Sequence, residues 1–196
     1  MVGPQSTLQR LPSAFRWTQA REAGLTDPAL QQLVRDGVLD RIGHGAYVKA
    51  TAGPVDFDLV EIALISEAAT LCLATSLARH DLTDQIPSRL ETAIPRGKRS
   101  PKTVVPVRWH HFAPETFEIG RERFAVLDQL QLGIYNAQRS IIDAYRLRHH
   151  EGPELGREAL RRWLDRRGSQ PGELLQMAQH FPKATRQLRT DLELLL

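Results

Sequence analysis

The sequence predicts an α+β protein, with a small winged helix-turn-helix in residues 1–52 and a larger mixed domain in residues 53–196 that combines a short-stranded sheet with a helical C-terminal half. Three observations carry this prediction. Between Thr18 and Gly37 two runs of helical period are separated by Gly24-Leu25. From Val38 to Val48 two short strand-like runs flank Gly43-His44-Gly45. Beyond Pro54, dense apolar helix-like runs, proline-punctuated strand-like pieces and further helical periods follow one another.

Gln5 to Leu11 suits one or two helical turns with Leu8 and Leu11 inward, broken by Pro12-Ser13. Phe15 and Trp17 are expected in the core, because a domain this small needs aromatic bulk. Thr18 can cap the next helix with its hydroxyl, Ala20 and Ala23 leave room for a crossing helix, and Gly24 ends it. Leu25 is the apolar residue of the turn. Thr26 or Asp27 caps the second helix, Pro28 sits at or just inside its first turn, and Gly37 stops it. Leu30, Leu33 and Val34 make one buried stripe, which leaves Ala29, Gln31, Gln32 and Arg35 facing outward.

Val38–Ile42, Gly43-His44-Gly45 and Ala46-Tyr47-Val48 then form a hairpin wing. In such a module the second helix enters the major groove while the wing reaches the backbone or the minor groove. Gln31, Gln32 and Arg35 are therefore candidate groove contacts, and His44 stands at the wing tip. Arg21, Arg41 and Lys49, with Arg10 and Arg16, are candidate phosphate contacts.

Thr51-Ala52-Gly53-Pro54 carries the punctuation of a linker, and the helical period restarts at Asp56. Phe57 to His80 reads as two helices, or one broken near Glu67, both largely buried. Strands are expected at Leu90–Ile94, Val104–His111, Phe124–Val126 and Gln131–Ile134, short or at edges because prolines are frequent there. Helices follow over 137–149 and 154–167, then from Pro171 and from Pro182, the last with a Leu188, Leu192 and Leu195 stripe.

A chain of 196 residues, 41% hydrophobic and 25% charged, has an ordinary globular composition, and a net charge of +3 permits a nucleic-acid partner without demanding one. The single Cys72, inside an apolar run, reads as a buried structural thiol in a reducing compartment. No apolar run is long enough to span a bilayer and no signal-peptide core is visible, so no membrane partner and a cytoplasmic location are expected.

Chemistry that needs a metal would show HExxH or paired CxxC spacing, and neither occurs. His110-His111 and His149-His150 are adjacent pairs whose side chains diverge along a strand or a helix, so they read as surface or boundary residues. GxSxG, phosphate-loop and GxGxxG motifs are missing, and Glu91 is not followed by a Glu-x-Lys nuclease signature. No catalytic residue, no metal and no cofactor is expected. One further feature is the acid-free stretch Pro95–Lys102, which offers Arg96, Lys98, Arg99 and Lys102 and continues to Arg108. It is either a solvated loop or a cationic patch for phosphate or an acidic partner.

The run FRWTQAREAGLTDPALQQLVRDGVLDRIGHGAYVKA resembles the N-terminal winged helix of AbiEi-family antitoxins of type IV toxin-antitoxin systems. The AIPRGKR loop, YNAQRSIIDAYRL, EALRRWLDRR and LLQMAQHFP are similar to the C-terminal antitoxin domain of that family. The resemblance implies a bacterial repressor of its own operon that binds inverted repeats in promoter DNA and counters a nucleotidyltransferase-like toxin encoded beside it. Recognition helices in that family are often rich in Arg and Lys, whereas PALQQLVRDG offers only Arg35 beside Asp36. Two other readings therefore stay open, a toxin-binding protein with little DNA affinity and a simple winged-helix regulator. A DNA-reading endonuclease is the weakest.

Overall fold

A computed structural model describes residues 4–196, and the chain divides into two compact units. The first comprises residues up to 69 with 100–106 and 124–132, and the second comprises residues 70–99, 107–123 and 133–196.

The first unit opens with helix α1 (Pro4–Gln9), strand β1 (Ala14–Arg16), α2 (Trp17–Glu22) and α3 (Asp27–Arg35), followed by the hairpin β2 (Leu39–Gly43) and β3 (Ala46–Lys49). Gly24 and Gly37, at φ 95° and 67°, end α2 and α3 in a conformation that L side chains rarely adopt. Thr26 caps α3 by accepting from the Ala29 N–H at 3.3 Å, and Pro28 occupies the first turn. Strand β1 has no counterpart in the sequence pattern. It pairs antiparallel with β3, giving the order β1-β3-β2, and this brings Phe15 against Tyr47 with ring centroids 5.7 Å apart. Phe15 is fully buried with Leu8, Leu25, Leu30, Leu33 and Leu39.

Two sequence expectations fail here. Trp17 is 42% exposed instead of buried, because the chain leaves β1 at Arg16 and the alternation of the strand turns Phe15 inward. Thr18 lies within α2 and does not cap it; instead the Gln19 side chain reaches back and accepts from the Arg16 N–H at 2.8 Å.

Helix α4 (Phe57–Ile65), capped by Asp56 through the Leu59 N–H at 3.2 Å, belongs to the same unit. Val60 packs with Ala14 and Val48 on the sheet. Beside it Glu61 is almost wholly buried, its two carboxylate oxygens accepting from the N–H groups of Val104 and Val105 at 2.8 and 2.9 Å. A Cβ at Gly43 would stand 2.3 Å from one of those oxygens, so the base of the wing has room only for glycine.

The second unit contains β4 (Thr70–Leu71), α5 (Leu73–Arg79), β5 (Leu90–Pro95), β6 (Val107–Phe112), α6 (Pro114–Phe117), and the beginning of β7 (Arg121–Leu127) and end of β8 (Leu130–Tyr135). The sheet order is β6-β5-β4-β8-β7, with β5 parallel to β6 and β4 parallel to β8. Helices α7 (Ala137–Arg146), α8 (Arg148–Glu151), α9 (Pro153–Leu164), α10 (Pro171–Ala178) and α11 (Pro182–Leu195) follow. The helix expected over 137–149 thus breaks at Leu147. Leu188 and Leu192 are buried as their spacing demands, but Leu195, at the end of α11, is 43% exposed.

Helix α7 is the axis of this unit. Ile141, Ile142, Ala144 and Tyr145 pack with Leu160, Trp163, Leu174 and Leu188 from the later helices. Buried with them is an ion network. Arg139 is fully buried, its Nε donates to Asp143 at 3.0 Å, and its Nη1 donates to the carbonyls of Thr116 and Ile119 at 2.8 and 2.6 Å. The guanidinium lies 4.1 Å from the Tyr135 ring centroid and 4.4 Å from that of Phe181. Asp143 is shared with Arg146 at 2.8 Å. Asn136 caps the helix by accepting from the Arg139 N–H at 2.9 Å.

Removing one member of a buried ionic group strands the rest without a partner. Arg139→Ala is therefore expected to lower the unfolding free energy by about 3–5 kcal/mol, read from the urea midpoint. Cys72 is fully buried, and burial, followed by the negative charges of Asp143 and Glu91, pushes its thiol well above the ordinary range. It is expected to resist iodoacetamide in the native chain and to react once guanidinium chloride unfolds it.

Candidate nucleic-acid interface

Helix α3 presents Gln31, Gln32 and Arg35 to solvent, opposite Leu30 and Leu33. A shallow depression of about 300 Å³ brings Gln31 and Arg35 together with Arg41 of β2, over a floor that includes Leu30, Val34 and Tyr47. Three of the sequence-predicted residues thus share one surface. Gln32 stands beside it and is engaged internally, donating to Asp36 at 2.7 Å and accepting from Arg35 Nη2 at 2.6 Å. This chain of bonds holds the Arg35 guanidinium along the helix and places a carboxylate at its end.

His44 is exposed in the two-residue tip between β2 and β3, where Gly45 takes φ 67°. Arg21 is exposed on α2, with its guanidinium 5.8 Å from the Trp17 ring centroid and its Nη1 3.4 Å from the Leu25 carbonyl. Lys49 is half-buried, and its ammonium donates to the Leu11 carbonyl in the segment between α1 and β1. It therefore closes the fold at its root and is not presented with the others. Arg10 and Arg16 are exposed.

Sequence reasoning missed the contact that fixes the helix-turn-helix angle. The Trp17 indole N–H donates to Asp27 Oδ1 at 2.7 Å, tying the first turn of α2 to the first turn of α3. No local motif announces it, since the partners stand ten positions apart on opposite sides of the turn.

Arg96, Lys98 and Arg99 are exposed in the turn after β5, where Gly97 takes φ 91° and the Lys98 N–H donates to the Pro95 carbonyl at 3.1 Å. They belong to the second unit, whereas the exposed Lys102 belongs to the first. Among the described residues no group of histidine, cysteine and carboxylate side chains is arranged to hold a metal, and no helix is long and apolar enough to cross a membrane.

The exposed face of α3, its caps and the glycine-rooted wing are the features of a winged helix-turn-helix. Residues 7–48 match the family described as transcriptional regulator, AbiEi antitoxin. The AbiEi match thus runs from α1 to β3 and includes Arg21, Gln31, Gln32, Arg35, Arg41 and His44. Among solved structures, the chain is similar to the RV2827C protein from Mycobacterium tuberculosis at 15% identity, covering 98% of this chain and 78% of that one with a TM-score of 0.52, a likeness of fold. No curated protein matches it in sequence.

The indole bond gives a direct test of how the AbiEi-like segment is held together. Asp27→Ala is expected to cost about 1 kcal/mol of stability, and much less when Trp17 is already Phe. A double-mutant cycle in urea measures the difference.

Proposed function

We propose that the protein is the antitoxin of a type IV toxin-antitoxin system, which represses its own operon by binding inverted repeats in promoter DNA and counters a nucleotidyltransferase-type toxin. One observation carries the DNA half of this reading: Gln31, Arg35 and Arg41 converge on a single exposed surface within the segment that matches the antitoxin regulators. Docked as winged helices dock, α3 enters the major groove, where a glutamine can bond an adenine edge in bidentate fashion. Arg21 and Arg41 lie on phosphates and His44 reaches the backbone beside the groove. The antitoxin activity itself is assigned to the remainder of the chain, residues 53–196, in a cytoplasmic setting.

A second reading is favoured by the bonding of Arg35. Because its guanidinium is held by Gln32, which in turn bonds Asp36, Arg35 must break a bond before it can turn to a phosphate or a base edge. In that case the first unit would serve protein contact, and toxin binding would persist without any promoter complex.

Each arginine on a phosphate contributes to the salt dependence of binding. Arg41→Ala is expected to weaken the promoter complex at every sequence tested and to reduce the slope of log K against log salt by about 0.9, and Arg35→Ala is expected to weaken it as well. Gln31→Ala is expected to relax base preference, with a discrimination loss of about 1–3 kcal/mol at one position. Gel shifts at several salt concentrations decide between these outcomes, and unchanged affinity and slope would reject the docking. Toxin neutralisation is read separately, from growth of cells expressing the adjacent nucleotidyltransferase-like gene with and without this chain.

A further inference from the structure

The second unit contains a cleft of about 710 Å³ that neither the helix-turn-helix nor the sequence motifs account for. One wall is β6, the edge strand of its sheet, with Arg108, His110 and His111. The lining also includes His149 and His150 of α8, Arg96 after β5, and His180 and Lys183 at the junction of α10 and α11. Two histidine pairs that diverge locally are thus brought, with the single His180, onto one concavity. Among the described residues, Glu151 is the only acidic side chain lining it.

The cations of the cleft fall into two groups. Arg108 and Arg146 are already compensated, the first by Glu91 and Glu151 at 3.5 and 3.0 Å, the second by Asp143 at 2.8 Å. Their guanidinium groups are held in place; that of Arg146 lies 4.3 Å from the Phe112 ring centroid. Arg96 and Lys183 are exposed and make no side-chain hydrogen bond or ion pair with any described residue, and the same is true of the exposed rings of His149, His150 and His180. His110 bonds to Glu91. Uncompensated cations and planar unpartnered imidazoles lining one cleft suit a ligand that combines phosphates with flat rings. Lysine and arginine attract the phosphodiester, and histidine rings can stack on unpaired bases. A purely acidic peptide would use the cations and leave the rings without a role.

We propose that this cleft binds a short single-stranded nucleic acid, with its backbone on Arg96 and Lys183 and its bases against the imidazoles of His149, His150 and His180. The site lies wholly within the second unit and is built from residues other than those of the duplex-reading surface of α3.

The test uses the full chain and fluorescently labelled decanucleotides, one RNA and one DNA of the same sequence, with fluorescence anisotropy at several salt concentrations. The double variant Arg96→Glu, Lys183→Glu is expected to lose at least tenfold in single-strand affinity and to flatten the salt slope by about 0.7 for each phosphate no longer neutralised, with an unchanged melting temperature because both side chains are exposed and unpartnered. It is expected to leave binding of duplex promoter DNA intact, whereas Arg35→Ala with Arg41→Ala does the reverse. Photo-crosslinking of a 4-thiouridine oligonucleotide to peptides containing His149-His150 or His180 supports the placement of the bases. The RNA and DNA arms tell which sugar is preferred, and binding of either through the cleft supports the proposal. It is overturned if neither strand binds, if the Arg96, Lys183 variant binds as well as the parent, if the crosslinks fall on α3, or if polyglutamate of equal charge competes as well as the oligonucleotides. Loss of promoter binding alone would reject the proposed DNA reading and leave the cleft standing.

Discussion

The second unit is organised around a charge that it buries. Taking a guanidinium out of water costs several kcal/mol, and the site of Arg139 offsets that cost with the Asp143 carboxylate, two main-chain carbonyls and the faces of Tyr135 and Phe181. Those partners come from α6 and the turn after it, from β8, from α7 itself and from the turn before α11, so a single side chain fixes how sheet and helices meet. Gly120 belongs to the same arrangement: at φ 69° its missing Cβ leaves room for Arg139, which a methyl group would approach within 2.6 Å. Asp143 then carries the order outward, because its second oxygen holds Arg146 in the lining of the cleft. Interior and cleft are two ends of one ionic chain.

The helix-turn-helix of the first unit is built on the opposite principle, with an apolar interior and its ionic groups near the surface, the buried Glu61 lying outside it on α4. Phe15, Leu30, Leu33 and Leu39 supply the core, while Asp27 and Asp36 sit at the two ends of α3 and bond Trp17 and Gln32. The acid at the start of α3 suits the positive end of the helix dipole, and the acid at its end opposes the negative one. The same carboxylates dilute the positive field of the exposed helix face. The charge of this face therefore depends on where a few arginines stand more than on the net charge of the chain.

Local chemistry made much of this legible. Caps and breakers around α3 fixed its ends, because Thr26, Pro28 and Gly37 act within their own turn, and the 3.6 period of Leu30 and Leu33 marked the outward face that carries Gln31, Gln32 and Arg35. The wing followed from its glycines. Elements defined by distant partners were hidden: β1 has only three residues and exists because β3 pairs with it, and β4 is a two-residue strand within a run that reads as helix. The exposure of Trp17 was hidden for the same reason, since it follows from a strand the sequence does not announce. The histidine pairs illustrate the limit most clearly. Adjacent residues do diverge, but periodicity within one segment carries no information on which other segment faces it, so the meeting of β6, α8 and the α10–α11 junction was not visible.

The glycine at the root of the wing separates what can vary from what cannot. Gly43 is clamped against a carboxylate that is itself held by two backbone N–H groups, so the hairpin leaves the body of the unit at a set position. Beyond that clamp, His44 projects into solvent with no scaffold role. A lineage of such proteins could exchange the residue at the tip, and with it the chemistry the wing presents to solvent, without re-solving the packing underneath. The wing is a fixed handle with a replaceable bit.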